Sequence, residues 1–278
     1  MSYARPMSRR AFLRYLALSF GAAAGMGLRA PLQPRIEVEE RTLNIGTSQG
    51  GHPLIVYRYG YGSLRLFILG GQHGGPEANT TRLAGMLREY FYEKPSEIPP
   101  NVTIYIMDEG NPDGLVMGSR LYMSGVDPNR NWAGPDWQSD AYDSNGLFRP
   151  GLGGPQPFSE PETAALADWL LRARPHFTIN YHSAGGFMFG GGEGLAGDLA
   201  GLYAQASGYP RPTGGGGAGS FRSPLTYRAT GHMNGWQRTV GMGGCLIELT
   251  TPHDPEFNRN LAGVRAVLER LQAEGMQR

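Results

Sequence analysis

The sequence has little cysteine, little net charge and no apolar run long enough to span a membrane, and each shortage excludes a class of protein. Its single cysteine, Cys245, excludes a disulfide framework and a thiolate metal cluster, so any metal would be held by His, Asp and Glu. The 25 basic and 24 acidic residues give a formal charge of +1, which provides no global field for nucleic acid or an anionic membrane surface. We therefore expect no nucleic-acid partner and a substrate that is recognised locally.

The amino-terminal segment has the pattern of an export signal. Arg9 and Arg10 precede Phe12 and Leu13, and the small-residue apolar stretch that follows is too short and too weakly hydrophobic for a spanning helix. This pattern resembles a twin-arginine signal. It predicts that residues 1–30 are an export signal and that the mature protein is periplasmic or extracellular, with no stable membrane span. Both "GAAAGM" and "GLRAP" offer a cleavage site.

Residues 31–278 are predicted to form one α/β domain, because apolar runs alternate with segments of helical periodicity. The predicted strands are 54–60, 64–71, 102–108, 177–183 and 245–250. The predicted helices are 76–94, 159–174, 195–207 and 255–274, the second of them with Ser159 as its N-cap. Long loops are expected at 109–158 and 210–224. The alternation favours a mixed, mostly parallel central sheet flanked by helices, with ligands at the carboxyl ends of its strands.

Candidate metal ligands follow two of these strands. His73 and Glu77 lie in "GGQHGGPEANT", and His182 lies at the end of "FTINYHS". Two His and one Glu are a known ligand set for catalytic zinc, with a fourth position left for water. Each residue alone has a simpler explanation, because a strand-terminal His is more often structural and Glu is favoured in a first helical turn.

A turn-rich segment, "NPDGLVMGSRLYMSGVDPNRNW", carries further polar side chains. Asp127, Asn129, Arg130 and Asn131 lie within five residues, and Arg120 lies ten residues before Arg130. Arginine is suited to bidentate recognition of a carboxylate, and an arginine near a metal can stabilise a developing oxyanion. The segment therefore suggests recognition of a carboxylate beside the metal candidates.

The order of the motifs "GGQH", "NPDG", "GVDPNRNW", "SEPET", "NYHS", "TYRATG" and "IELT" resembles the zinc metallocarboxypeptidase family, which is carboxypeptidase A-like and known as peptidase family M14. The resemblance spans about residues 50–255. It implies the carboxypeptidase, or funnelin, fold. It also implies one zinc ion per chain, with His73, Glu77 and His182 as the protein ligands.

The resemblance implies roles for the other candidates as well. Asn129 and Arg130 match the pair that grips the terminal carboxylate of the substrate. Arg120 matches the arginine that polarises the scissile carbonyl, and Tyr227 matches the mobile tyrosine that closes over the substrate. Glu248 matches the glutamate that is general base towards the zinc-bound water and then proton donor to the leaving amine.

Two features depart from the family's pattern. Its first motif has two residues between the ligands, whereas "HGGPE" has three. Either Gly74 and Gly75 absorb the extra residue, or the shift swings Glu77 off the metal. Asn234 falls where the base of the specificity pocket is expected, and it is neither the aliphatic residue of members that prefer hydrophobic ends nor the Asp of members that prefer basic ones.

The expected function is hydrolysis of an amide bond next to a terminal residue with a free carboxylate. The compact motifs, the short mature chain and the export signal are similar to bacterial members that trim murein peptides at the γ-D-glutamyl-diaminopimelate bond, and a polar Asn234 suits a diaminopimelate side chain. The alternatives are a zinc-dependent deacylase of N-acyl amino acids, of the desuccinylase type, and a non-catalytic relative that binds zinc or peptidoglycan. We expect a monomer whose partner is a peptide or murein-peptide substrate.

Overall fold

The structure is a computed structural model, and it describes residues 41–212 and 227–276. The predicted export signal and most of the loop expected at 210–224 lie outside the described residues. Within them, no helix combines the length and the apolar character needed to cross a bilayer.

Nine strands and six α-helices make up the described part of the chain. The strands are β1 (Arg41–Thr47), β2 (Pro53–Tyr59), β3 (Leu64–Leu69), β4 (Val102–Met107), β5 (Ala141–Tyr142), β6 (Phe148–Arg149), β7 (Phe177–Ser183), β8 (Phe187–Gly191) and β9 (Gly244–Leu249). The helices are α1 (Ala78–Glu93), α2 (Pro112–Met117), α3 (Pro161–Ala173), α4 (Gly194–Ser207), α5 (Met233–Thr239) and α6 (Phe257–Met276). Two short 3₁₀ turns, Gly75–Glu77 and Pro95–Glu97, flank α1.

Seven of the strands form one mixed sheet in the order β1-β2-β4-β3-β7-β9-β8. The four central strands, β4, β3, β7 and β9, run parallel, and the outer pairings are antiparallel. Strands β5 and β6 form a separate two-stranded hairpin. The parallel centre places the carboxyl ends of β3, β7 and β9 side by side, where a ligand site is expected in such a sheet.

Side chains alternate between the two faces of the sheet along each strand. Each face is buried under its own hydrophobic core. Leu66 and Ile68 belong to a core that contains residues of α1, α4 and α6, whereas Phe67 and Leu69 belong to the opposite core with residues of α3 and α5. Central strands that are covered on both faces are nearly continuously apolar, and this explains why β3 and β4 were recognisable in the sequence.

The α/β class and the mostly parallel sheet are confirmed, and several local details differ from the expectations. Strands β1, β5, β6 and β8 were not predicted, and neither were the short helices α2 and α5. The proposed N-cap at Ser159 is wrong by one residue, since α3 starts at Pro161 with Glu160 as its N-cap. The Ser159 hydroxyl instead donates to the Glu160 carboxylate and accepts from the Asn131 amide.

Candidate metal centre and active site

Three buried side chains converge where β3 and β7 end. His73 follows β3, Glu77 closes the 3₁₀ turn before α1, and His182 is near the end of β7; each is 1–2% exposed. The Nδ1 atoms of the two histidines are 3.1 Å apart. His73 Nδ1 lies 3.0 Å from Glu77 Oε1, and His182 Nδ1 lies 3.3 Å from Glu77 Oε2.

These separations fit a single metal ion. Two ligand atoms bound tetrahedrally to one zinc at its usual bond lengths are about 3.3 Å apart, close to the three distances observed. Two imidazoles and one carboxylate are also a donor set that zinc takes in catalytic sites. Among the described residues this is the one group of His, Cys, Asp and Glu that is close enough to hold a metal.

The second nitrogen of each ring is held by an oxygen acceptor. His73 Nε2 lies 3.0 Å from Asp127 Oδ1, and His182 Nε2 lies 3.0 Å from Gln72 Oε1. Gln72 Oε1 also accepts from the Asn180 side chain, at 2.7 Å. These contacts make Nε2 the protonated nitrogen of each neutral ring and leave the Nδ1 lone pair for a metal, an arrangement typical of histidine ligands.

The extra residue of "HGGPE" lies in the turn that precedes α1. Gly75 has φ +50°, and a Cβ on Gly75 would lie 2.3 Å from the Gly118 carbonyl oxygen. A Cβ on Gly74 would lie 2.2 Å from the carbonyl carbon of Gly114. The two glycines therefore let the chain pass against α2 and its carboxyl end, and the turn brings Glu77 back to the histidines.

Both carboxylate oxygens of Glu77 have polar partners. Oε1 accepts from Arg120 Nη1, and Oε2 accepts from the Ser183 backbone N–H at 3.1 Å. Burial alone would raise the pKa of Glu77, but His73 and Arg120 hold it well below its usual range. Glu77 is therefore an anion, the form in which a carboxyl group binds a metal.

The two histidines differ in protonation. Burial lowers the pKa of His182 to about 4, so its ring is neutral. Burial and Arg120 also oppose protonation of His73, but the Glu77 and Asp127 carboxylates outweigh them and raise the pKa of that ring. A proton on His73 therefore competes with a metal.

The remaining candidates line a cavity beside the three ligands. Strand β9 pairs with β7 in parallel, with Glu248 opposite His182. Burial, followed by repulsion from Glu77, raises the pKa of Glu248 to about 7, a value suited to a group that takes up and returns a proton near neutral pH. His182 and six other candidates share the lining: Arg120, Asn129, Arg130, Tyr227, Asn234 and Glu248.

Arg120 and Arg130 are held by their neighbours in different ways. Arg120 Nε donates to Asp127 Oδ2 at 3.2 Å, and the Asp127 and Glu77 carboxylates raise the pKa of Arg120 although burial opposes this. Arg130 is 3% exposed and donates through Nε and Nη1 to the backbone oxygens of Tyr142 and Asn129. In both guanidiniums the Nη2 atom has no hydrogen bond to another described residue, so it is the atom left for a substrate.

Asn129 and Tyr227 contact other parts of the cavity wall, namely α5 and the side chain of Arg130. The Asn129 carbonyl oxygen Oδ1 accepts from the Met233 N–H at 3.0 Å, which ties the "NRNW" loop to α5. The Tyr227 ring lies with its centroid 6.0 Å from the guanidinium carbon of Arg130, and burial raises the pKa of its phenol.

Four residues of the site had no assigned role in the sequence. Asp127 and Gln72 orient the histidine rings, and they lie within the motifs "GVDPNRNW" and "GGQH". His232 and Arg238 line the cavity from the ends of α5. His232 Nδ1 accepts from the Gly235 N–H at 3.0 Å, and burial lowers the pKa of this ring to about 4.

Comparison with known proteins identifies the family. The family model described as zinc carboxypeptidase, peptidase M14, matches residues 39–190. The chain belongs to the zinc carboxypeptidase family. Family membership classes the chain as a hydrolase and a metallopeptidase, and this confirms the resemblance drawn from the motifs. The match includes all three metal-ligand candidates and ends before Tyr227, Asn234 and Glu248.

Two curated relatives support the family assignment over part of their length. Murein peptide amidase A of Escherichia coli (strain K12) is 32% identical over 148 residues, which are 51% of this chain and 58% of the relative. Carboxypeptidase B of Astacus astacus is 27% identical over 164 residues, or 50% of this chain and 53% of the relative. The matches thus span little more than half the length of these relatives.

Two solved structures share the fold over most of the chain. The murein-tripeptide amidase from Escherichia coli O157 superposes with a TM-score of 0.62 at 23% identity, covering 86% of this chain and 96% of that one. Bovine thrombin-activatable fibrinolysis inhibitor gives 0.65 at 19% identity, covering 87% and 91%. At these identities the likeness establishes the carboxypeptidase fold.

Proposed function

We propose that this protein is a zinc-dependent metallocarboxypeptidase that hydrolyses the amide bond before a terminal residue with a free carboxylate. One observation carries the proposal: the His73, Glu77 and His182 ligand atoms converge beside a cavity that also contains Glu248 and the Arg130 guanidinium. A metal, a proton acceptor and a carboxylate-binding group are the parts that such a hydrolysis needs.

When bound, a zinc ion polarises the scissile carbonyl and lowers the pKa of the attacking water to about 7. Arg130 binds the terminal carboxylate through Nη2, the atom that its own hydrogen bonds leave free. Arg120, oriented by Asp127, donates to the carbonyl oxygen as negative charge develops there. Glu248 accepts the proton of the attacking water and returns it to the amine that leaves.

We further propose that the substrates are murein peptides and that the protein acts outside the cytoplasm. The amidase relative is named for murein peptides, and the amino-terminal sequence has the twin-arginine pattern. Cleavage would fall at the γ-D-glutamyl-diaminopimelate bond. Mass spectrometry of the mature protein from the periplasm of a native or related host would identify both the location and the cleavage site of the signal.

The activity is tested with a panel of substrates on protein of measured zinc content. The panel contains a murein tripeptide, peptides with free carboxyl termini, the same peptides amidated, and N-succinylglutamate. We expect one zinc per chain and turnover of the free peptides, with the amidated peptides at least tenfold slower, since they forfeit a charge-assisted contact with Arg130.

The other results of this panel would each support a different function. Turnover of N-succinylglutamate alone would favour a deacylase. Zinc binding without turnover of any substrate would favour a non-catalytic relative. Failure to bind zinc would overturn the metal site itself.

A further inference from the structure

The guanidinium of Arg130 is held by a segment twelve residues further along the chain. Its Nε donates to the Tyr142 carbonyl oxygen at 3.1 Å, and its Nη1 donates to the carbonyl oxygen of the preceding residue, Asn129, at 2.9 Å. Among the described residues these are the two hydrogen bonds that the guanidinium forms. Because the Asn129 oxygen belongs to the same turn as Arg130, the Tyr142 oxygen is the acceptor that fixes the guanidinium relative to the rest of the cavity.

Tyr142 belongs to the β5–β6 hairpin, which buries little apolar surface. The two strands pair over two residues each. Tyr142, Leu147 and Phe148 are 39%, 54% and 56% exposed, and the rings of Tyr142 and Phe148 pack on each other with their centroids 5.6 Å apart. A two-stranded hairpin of this kind is marginally stable on its own. Its shape therefore depends on the polar contacts of its turn.

Asp143, the residue after Tyr142, supplies those contacts. Its Oδ1 accepts from the backbone N–H groups of Asn145 and Leu147, both at 2.9 Å, and its Oδ2 accepts from Arg149 Nε at 2.9 Å. An aspartate that binds the N–H groups following it holds the chain in a turn. The Arg149 side chain is half-exposed, and exposed ion pairs contribute little. The two backbone contacts are therefore the ones that shape the turn.

We propose that Asp143 is a positioning residue for the carboxylate-binding Arg130. Asp143 Oδ1 closes the turn, the turn holds the Tyr142 carbonyl oxygen in place, and that oxygen orients the guanidinium so that Nη2 is presented to the carboxylate. The proposal rests on the proposed function, because it takes Arg130 as the group that binds the terminal carboxylate. Asp143 is not among the described residues that line the cavity, so it acts through the backbone of Tyr142.

Asp143→Ala should raise the KM of a peptide with a free carboxyl terminus about tenfold, the usual size of a hydrogen bond to a charged group. The kcat should stay within about twofold of wild type, because the carboxylate is bound alike before and during the reaction. The amidated form of the same peptide has no carboxylate for Arg130, so its KM should also stay within about twofold. Steady-state kinetics on zinc-loaded protein measure both peptides, and an equal rise in the two KM values would overturn the proposal.

Three further variants isolate the contact that shapes the turn. Asp143→Asn keeps an oxygen for both N–H groups, and Arg149→Gln removes only the ion pair. Each should leave the KM of the free peptide within about threefold of wild type. Asp168→Ala is the matched control, since it removes an exposed aspartate that pairs with Arg172 on α3 at 2.7 Å, and it should have no effect. A tenfold rise in Asp143→Asn or Arg149→Gln would overturn the role of the turn.

The same turn can also be loosened without changing Asp143. Gly146 has φ +74°, a conformation in which a Cβ is strained. Gly146→Ala should therefore raise the KM of the free peptide about threefold and leave kcat unchanged. If Asp143→Ala does not fold, Gly146→Ala decides the question, and an unchanged KM there would overturn the proposal.

The Nε–H proton of Arg130 gives a readout that needs no turnover. Arg130 is 3% exposed, and a buried, hydrogen-bonded N–H exchanges slowly with water. Its signal in ¹⁵N spectra of the zinc-loaded protein is assigned by its loss in Arg130→Gln. Exchange should be at least about tenfold faster in Asp143→Ala and unchanged in Asp143→Asn.

This measurement separates the positioning role from the proposed activity. Faster exchange in Asp143→Ala, together with a wild type that hydrolyses no peptide, would leave the positioning role standing and reject the activity. Unchanged exchange in Asp143→Ala would overturn the positioning role, whatever the activity.

Discussion

Glu248 stands opposite His182 in the register of two adjacent parallel strands, β9 and β7. This pairing fixes a proton acceptor beside a metal-ligand candidate through backbone hydrogen bonds of the sheet, independently of any loop. Both side chains line the cavity, and His182 Nδ1 also lies 3.3 Å from Glu77 Oε2. The two residues can therefore be altered separately, one to remove proton transfer and the other to remove the metal.

Glu248→Gln should retain zinc and lose activity. The amide is of the same size but cannot accept a proton, and loss of a general base costs about 10²–10⁴-fold in rate. We expect that loss in kcat with a zinc content of one per chain, measured by atomic absorption on the same preparation. Activity within tenfold of wild type would show that Glu248 is not the general base.

Gly75→Ala should destabilise the fold and weaken the metal site. Its φ of +50° and the 2.3 Å approach to the Gly118 oxygen both oppose a Cβ. We expect a loss of about 2–4 kcal/mol in the free energy of unfolding, the sum of backbone strain and a steric clash. Urea denaturation of the zinc-free protein measures this loss.

Gly208→Ala is the control for backbone strain. Gly208 caps α4 with φ +69°, and a Cβ there would have nothing within 4 Å. It should cost about 1–2 kcal/mol, which is strain alone, and leave zinc affinity unchanged. Equal effects of the two substitutions would show that the turn before Glu77 has room for a side chain.

Asp127→Asn should weaken zinc binding although Asp127 is not itself a ligand candidate. Its carboxylate holds His73 Nε2 and Arg120 Nε, and an amide can turn its NH₂ group towards the ring. Loss of such a partner typically costs about 10–100-fold in metal affinity. Competition with a chromophoric chelator would measure it, with Asp168→Asn on the exposed face of α3 as control. An unchanged affinity would mean that the ring of His73 is oriented by packing.

Zinc binding should release a proton from His73. Although burial and Arg120 oppose its protonation, Glu77 and Asp127 raise the pKa of His73 in the absence of a metal, and a metal ligand must be unprotonated. Zinc affinity should fall as the pH drops through the raised pKa and become constant above it.

Calorimetry in two buffers of different ionisation enthalpy counts the released protons. In Glu248→Gln, which lacks the other group with a pKa of about 7, the expected number at pH 7 is between zero and one and falls towards zero at higher pH. Adding His73→Ala should remove the pH dependence near neutrality together with most of the affinity. Proton release that is absent in the wild type at pH 6.5 would contradict the raised pKa.

The central strands were predictable from the sequence because their burial leaves a local signal. In β3 and β4, burial on both faces selects apolar residues at nearly every position, and the expected boundaries lie within two residues of the observed ones. Strand β8 lacks that signal, since its last two residues are glycines with φ of +100° and +110°. Strand β1 lies at the sheet edge and contains several polar residues.

The sequence predicted which residues form the candidate site, but it did not predict the orientation of their side chains or their hydrogen-bond partners. The motifs indicated His73, Glu77 and His182, and the structure brings them together. Which nitrogen of each ring faces the metal depends on Asp127 and Gln72. The His73 partner is 54 residues away in the sequence, and a contact at that separation has no local pattern. The unpaired amide of Asn234 likewise becomes visible only when its surroundings are known.

The hydrogen bond from the Met233 N–H to Asn129 Oδ1 limits how far α5 can move relative to the loop that carries Arg130. Together with the bond from the Trp132 N–H to the Gly231 oxygen, it anchors the start of α5 to the loop that carries Arg130. The backbone thereby sets the distance between Arg130 and the residues of α5 that line the cavity. A library restricted to the cavity-lining residues of α5 would therefore reshape this wall of the cavity while Arg130 and the three metal-ligand candidates stay in place.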